Sequence, residues 1–413
     1  APTVANCLIE NNDLPGENDR LRGGGICVDG VDSVSILNNL VRNNAAARGA
    51  GISVVHCAKA TISGNRVLNN AARGDHGGGL YLSILDATIT GNFIAGNSVG
   101  GWGGGVILFN KGFARFSHNV YTNNYASNKG SAIFIDEGAH ALIENELIYA
   151  NKCPSNGGAG IYVDNGQDGR GVATIRNCTV ANHPCTLDDT HGLGGNGVMV
   201  DGSDVVVENS LFWGNIDDFY VREDGTIKVS FSLSTEKIDG PGNINRDPLF
   251  ANFKANDYHL KSTVGRFDSQ SHSFVQDNVS SPAIDSGNPA SGCPLEPSPN
   301  GERVDMGAYG NTSEASKSPS GKNCSPKSES AALSFPNVNG SGSPPVVALT
   351  PASSQSANPN SQASPQSPDS SRAGSRFGRG CGCGSGAASR QVFSMLSMVF
   401  VSVALLRRRR PKA

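Results

Sequence analysis

The chain has 413 residues, of which 52 are Gly and 17% are charged, with 33 Lys and Arg against 36 Asp and Glu for a net charge of −3. That balance carries no electrostatic footprint for DNA or RNA, so no nucleic-acid partner is expected. Asn is over-used, with 40 residues and 27 of them in the first 215; Gly and Asn form turns readily and helices poorly, which excludes an all-helical or doubly wound fold.

Two alternating phrases run through the first half of the chain. One is Gly-rich and leads into a short apolar segment that begins at Ile26, Ile52, Leu80, Val106, Ile133, Ile161 and Val198. The other carries an anchor at Val4, Ile36, Ile62, Ile89, Phe116, Ile143, Ile175 and Val207, with spacings of 32, 26, 27, 27, 27, 32 and 32. A period near 27 fits three short strands and three turns per coil of a solenoid. Eight residues after the anchors stand Asn12, Asn44, Asn70, Asn97, Asn124, Asn151, His183 and Asn215. Three after them stand Cys7, Asn39, Asn65, Asn92, Asn119, Glu146, Cys178 and Ser210. If coils stack with strands about 4.8 Å apart, each Asn amide donates to one neighbour and accepts from the other, pairing polar groups that stacking buries. Alternation (Ile26 inward, Cys27 outward, Val28 inward) fills the interior with aliphatics. A disordered Gly/Asn tract would not hold apolar residues in phase over eight repeats.

These phrases resemble the right-handed parallel β-helix repeat proteins, a family that includes pectate lyases and polygalacturonases, over residues 2–216. The resemblance implies an all-β parallel solenoid of at least eight coils with three strands each, assigned to residues 1–216. It is unspecific for activity.

Residues 217–313 lose the regular phase but carry NINRDPLF, SPAIDSGNP and DMGAYGNTSEASKS, which look like the closing segment of bacterial secreted β-helix proteins. They read as the last irregular coils plus a C-terminal cap, since an open solenoid end exposes unpaired edges. Arg266, Asp285, Asp305 and Tyr309 are candidate site residues on one reading and hold that cap together on the favoured one. Residues 314–376 are rich in Ser and Pro and read as a disordered linker.

In residues 377–413, Cys381 and Cys383 precede an apolar run from Val392 to Leu406 and a basic block from Arg407 to Arg410. The run is about 22 Å long as a helix, short for a bilayer that takes about 20 residues. The order resembles the MYXO-CTERM sorting tail of myxobacterial surface proteins. That resemblance implies export, processing by a sorting protease near Cys381 or Cys383, and display on the outer surface of a Gram-negative cell. The alternative is an uncut membrane anchor. A signal peptide and an N-terminal cap are expected upstream of Ala1.

Ten Cys in an exported chain point to disulfides. Cys153 and Cys185 each lie ten residues after an anchor in neighbouring coils, which predicts a bond between them. Cys293 and Cys324 form a second candidate pair across the cap. Zinc motifs are absent from the sequence.

Three residues after the Gly-rich anchors stand Asp29, Val55, Ser83, Phe109, Asp136, Asp164 and Asp201. Asp136, Asp164 and Asp201 fall in consecutive coils, so their carboxylates repel unless protonated or neutralised. Ca²⁺ with oxygen ligands is one remedy, and it would bind an acidic polysaccharide; solvated turn aspartates are the other reading. Arg170 and Lys111 are the nearest cations by register. Glu144, Arg176 and Glu208 form a second column that reads as cross-strand ion pairing. The loop 182–195 holds Asp188, Asp189, His191 and Gly192, which resemble polygalacturonase elements but at the wrong spacing; Asp75 and His76 stand four coils away. Trp102 and Trp213 are candidate sugar-stacking residues. The expected function is a surface-displayed structural or carbohydrate-binding protein, probing polysaccharide or cell-envelope glycan as a monomer without a required cofactor. The alternative is a secreted polysaccharide lyase or glycoside hydrolase.

Overall fold

The structure is a computed structural model that describes residues 1–16, 18, 21–186 and 194–324, and the backbone of 399–401. The anchor residues Val4, Ile36, Ile62, Ile89, Phe116, Ile143, Ile175 and Val207 pair in sequence as one parallel ladder. The Gly-rich phrases form a second ladder from Ile26 to Val198. These two faces belong to one 17-stranded sheet because Ile52–Ser63 and Leu80–Thr90 run through the corner between them. A 9-stranded sheet forms the third face, and a 4-stranded sheet closes part of the perimeter. The architecture is an all-β parallel β-helix.

Paired turn residues explain the Asn-Asn signature. At the corner before the third sheet, Asn38, Asn145, Asn177 and Asn209 take left-handed backbone, where Gly64 and Gly91 stand in other coils. At the corner after that sheet, Asn43, Asn69 and Asn123 do the same, in register with Gly96 and Gly214. Asn tolerates this conformation better than other side chains. The next residue in each pair turns inward and joins a ladder. Asn44 Nδ2 donates to Asn70 Oδ1 at 3.0 Å, Asn70 to Asn97 at 2.9 Å, Asn97 to Asn124 at 3.0 Å and Asn124 to Asn151 at 3.1 Å. Asn12 joins at the first coil. At the other end, the Asn151 backbone N–H donates to His183, and the His183 N–H donates to Asn215. The second ladder runs through Asn39, Asn65, Asn92 and Asn119 to Glu146.

The interior is aliphatic, with Ile26, Ile36, Ile52, Ile62, Leu80 and Leu82 fully buried. Tyr121, Glu146 and Cys178 lie inside it as well, and burial pushes the Glu146 carboxyl well above its ordinary range, so it is held protonated.

The regular coils extend past residue 216. Phe219–Arg222, Thr226–Ser230 and Leu233–Ser234 continue all three faces, with Val207 paired to Val229 and Leu211 to Leu233. This coil is only 22 residues long from anchor to anchor, which hides its phase from a search at 27. A cap follows, in which Arg266 pairs with Asp277 at 3.1 Å and Asp305 accepts from the backbone of Asp285 and Ser316. Tyr309 stacks on His259 at 3.8 Å. The Ser/Pro-rich stretch does not begin as a linker at residue 314. Ser316 and Ser318 are buried because their hydroxyls bond the cap directly, and Cys324 is tied to the cap by its disulfide to Cys293.

Cys153–Cys185 is formed with Cα atoms 5.3 Å apart, and Cys293–Cys324 with 5.9 Å. Two disulfides mark an oxidising, extracellular setting. Among the described residues no helix is long and apolar enough to cross a membrane. Cys381, Cys383, the basic block and the short apolar helix lie outside the described residues, apart from Val399–Val401, which pair antiparallel to Ile26–Val28.

Candidate functional site

Within each coil the Gly-rich strand comes first and the anchor strand second, and stacking turns each position of the Gly-rich phrase into a column on the outside of this first face. One column runs Arg48, His76, Trp102 and Lys129, each just before a glycine at positive φ. The next runs Tyr81, Ile107, Phe134, Tyr162 and Met199, all buried under the Gly-rich loops. Those glycines are needed there: a Cβ on Gly130 would lie 2.8 Å from Phe134, and one on Gly158 would lie 2.7 Å from Tyr162. The third column is the aspartate series.

Within that series Asp164 and Asp201 are direct cross-strand partners, and Asp201 is paired in turn with Arg222. No cation was assigned to this column from the sequence beyond Lys111 and Arg170, and the structure corrects this. Lys129 lies over the Tyr162 ring at 5.0 Å and places Nζ 2.7 Å from Asp164 and 3.5 Å from Asp201. Arg222 Nε sits 2.8 Å from the other oxygen of Asp201, and the Tyr162 hydroxyl donates to Asp201 at 2.8 Å. Lys129 is seven residues before Asp136 in the chain, so its reach shows only once the columns are side by side. Arg222 lies in the short coil whose phase is hidden. Aligning FYVR with VMVD, which puts Arg222 beside Asp201, is the signal that could have found it.

The electrostatics differ along the column. Burial, with the Asp164 charge added, pushes Asp136 up to about 7. Burial also raises Asp164, to about 6, against the pull of Lys129. Burial raises Asp201 too, but hydrogen bonds from Arg222 and Tyr162 and the Lys129 charge outweigh it, and its carboxyl stays below the ordinary range. The ammonium of Lys129 thus meets the carboxylates where a bound cation would. Among the described residues no group of three or more His, Cys, Asp or Glu side chains converges as a metal site.

A hairpin projects beside this column. Asn165 and Gly166 pair antiparallel with Arg170 and Gly169, and Gly166 packs against Asp136 and Glu137. Four of the five extra residues in the 32-residue coil from Ile143 to Ile175 lie between Ile161 and Ile175, where the usual interval of ten becomes fourteen. On the second-face side the hairpin walls a groove of about 470 Å³, lined by Lys111, Phe113, His140, Asp168, Arg170 and Asp204. Gly112, Gly138 and Gly169 bring bare backbone into it. Burial lowers the His140 pKa, so its ring is neutral at neutral pH.

Other candidates separate from this region. Arg176 bridges Glu144 at 3.4 Å and Glu208 at 3.7 Å as a cross-strand pair. Asp75 bonds His76 at 2.5 Å and Arg48 at 2.9 Å, and the His76 ring packs against Trp102 at 4.9 Å. Trp213 packs on the cap. Asp188, Asp189, His191 and Gly192 lie outside the described residues.

Neither a curated protein nor a solved structure matches the chain. Residues 1–121 match the family described as right handed beta helix region, and residues 115–287 match the family described as disaggregatase related. The second match spans the Lys129 network and the hairpin side of the groove, while Lys111, Gly112 and Phe113 fall in the first.

Proposed function

We propose that this is an exported β-helix protein that binds glycan on its flank without cleaving it. The observation that carries the reading is the groove of about 470 Å³ beside the hairpin, where an aromatic edge, bare glycine backbone and planar polar side chains meet. Sugar rings are recognised by that combination of apolar face and oriented polar groups. The disulfides support export, and the order of Cys motif, apolar run and basic block supports display at the cell envelope after processing of the tail. Against cleavage at the aspartate column, Asp164 and Asp201 are buried and already paired with Lys129 and Arg222.

Hydrolysis is the second reading, and one observation favours it: Asp136, one coil from Asp164, is pushed up to about 7 and so is partly protonated at neutral pH. The match to a family described as disaggregatase related adds to it. Calorimetric titration of the full chain with a panel of cell-envelope polysaccharides, with reducing-end and ultraviolet assays run in parallel, tests both. Binding without new ends supports the first reading. New reducing ends that vanish in Asp136→Asn establish the second. Binding is expected to be the same in Ca²⁺ and in chelator, because Lys129 already neutralises the column; loss of binding in chelator would establish a calcium-dependent site.

A further inference from the structure

We infer that the groove selects an amine-bearing glycan, built from unacetylated hexosamine units, over a uronic acid polymer. The inference rests on the glycan-binding reading and names its ligand class.

Of the two cations that line the groove, Arg170 is committed and Lys111 is partly engaged. Lys111 Nζ faces Asp168 at 3.4 Å. Arg170 is close to saturated: Nε and Nη2 hold the two oxygens of Asp204 at 3.1 and 3.2 Å, Nη1 holds Asp224 at 2.7 Å, and Nη2 also reaches the backbone oxygens of Asp224 and Ser203. A guanidinium has five N–H donors in a fixed fork, so little is left for an incoming carboxylate. A uronate would have to displace one of these partners.

The acceptors are in the opposite state. The Asp168 side chain is 53% exposed and the Asp224 side chain 78%. A carboxylate offers about four lone-pair sites, and each of these uses only a fraction of them. Glu137 accepts from the Asp168 backbone, and Glu223 from Asn165 on the hairpin, which adds two more anions at the rim. Five carboxylates (Glu137, Asp168, Asp204, Glu223 and Asp224) therefore outnumber the cations beside them, Lys111, Arg170 and Lys228, the last of which also acts on Asp204. The potential that results attracts an ammonium and repels a polyanion. His140, neutral at neutral pH, and Phe113, whose ring carries the Arg115 guanidinium at 4.5 Å, line the floor of the groove.

The test is calorimetry on the full-length protein with glucosamine oligomers, N-acetylglucosamine oligomers and oligogalacturonate, at low salt and at about 0.3 M. The glucosamine oligomer is expected to bind about tenfold more tightly than the other two, with the preference shrinking as salt rises. Asp168→Asn and Asp224→Asn are each expected to weaken it about two- to fivefold, and Lys111→Met to strengthen it by a similar factor by freeing Asp168. Tighter binding of oligogalacturonate, or a preference untouched by these three variants, overturns the inference and leaves glycan binding standing. Failure of every glycan in both this set and the envelope panel overturns the function itself.

Discussion

From Asn44 to Asn151 each Asn of the first ladder satisfies four partners at once, and this sets what a single substitution costs. Asn97 Nδ2 donates to Asn124 Oδ1 and the Val67 carbonyl, while its Oδ1 accepts from the backbone and the side chain of Asn70. Asn97→Ala strands buried groups in the two flanking coils, and a loss of about 2–4 kcal/mol is expected in chemical denaturation. A loss below about 0.5 kcal/mol would mean that water replaces the amide. Ala150 is the counter-example in the same register. It carries a φ of 51°, where neighbouring coils place Asn43, Asn69, Asn123 or a glycine. A Cβ there is strained, so Ala150→Gly is expected to stabilise the fold by about 0.5–1 kcal/mol, read as a rise in denaturation midpoint.

Between elements, two devices tie coils together beyond their ladders. Cys153–Cys185 closes a loop with a sequence separation of 32 between adjacent coils. Chain entropy puts its contribution at about 3–4 kcal/mol, so the Cys153→Ser, Cys185→Ser double variant should unfold at correspondingly lower denaturant. An unchanged midpoint would show that the stacked strands alone hold this region. The Lys129 network is the second device. It joins three successive strands of the first face through Asp164, Asp201 and Arg222, with the Tyr162 ring under the lysine stem.

At the scale of the molecule, the raised carboxyls govern pH dependence. Asp136 lies at about 7, Asp164 and Asp218 at about 6, and Glu296 at about 7, each raised chiefly by burial. The folded chain therefore keeps protons that the unfolded chain releases above pH ~4, so stability is highest on the acid side and falls as pH rises from about 5 to 8. Asp75, Asp201, Asp204 and Asp257 are lowered, and their contribution is lost below pH ~4. Thermal melts should show a higher midpoint at about pH 5 than at about pH 8, and Asp136→Asn should flatten that slope. A midpoint that rises toward pH 8 would contradict the burial of these groups.

The sequence by itself determined the solenoid, because a parallel β-helix repeats the same turn and core requirements in every coil. The Asn columns, the inward aliphatics, the aspartate series and the Cys153–Cys185 register could all be read as periodic positions. What tertiary structure decided is whatever breaks or crosses that period. The short coil ending at Leu233–Ser234 and the packing of residues 314–324 on the cap depend on contacts without a fixed interval. Lys129 and Arg222 reach the aspartates because stacking brings different columns of different coils within a side chain's length. The groove exists because one coil carries a hairpin that its neighbours lack. Period fixes which residues share a column, whereas function on this flank arises between columns, where only three-dimensional distance relates one residue to another.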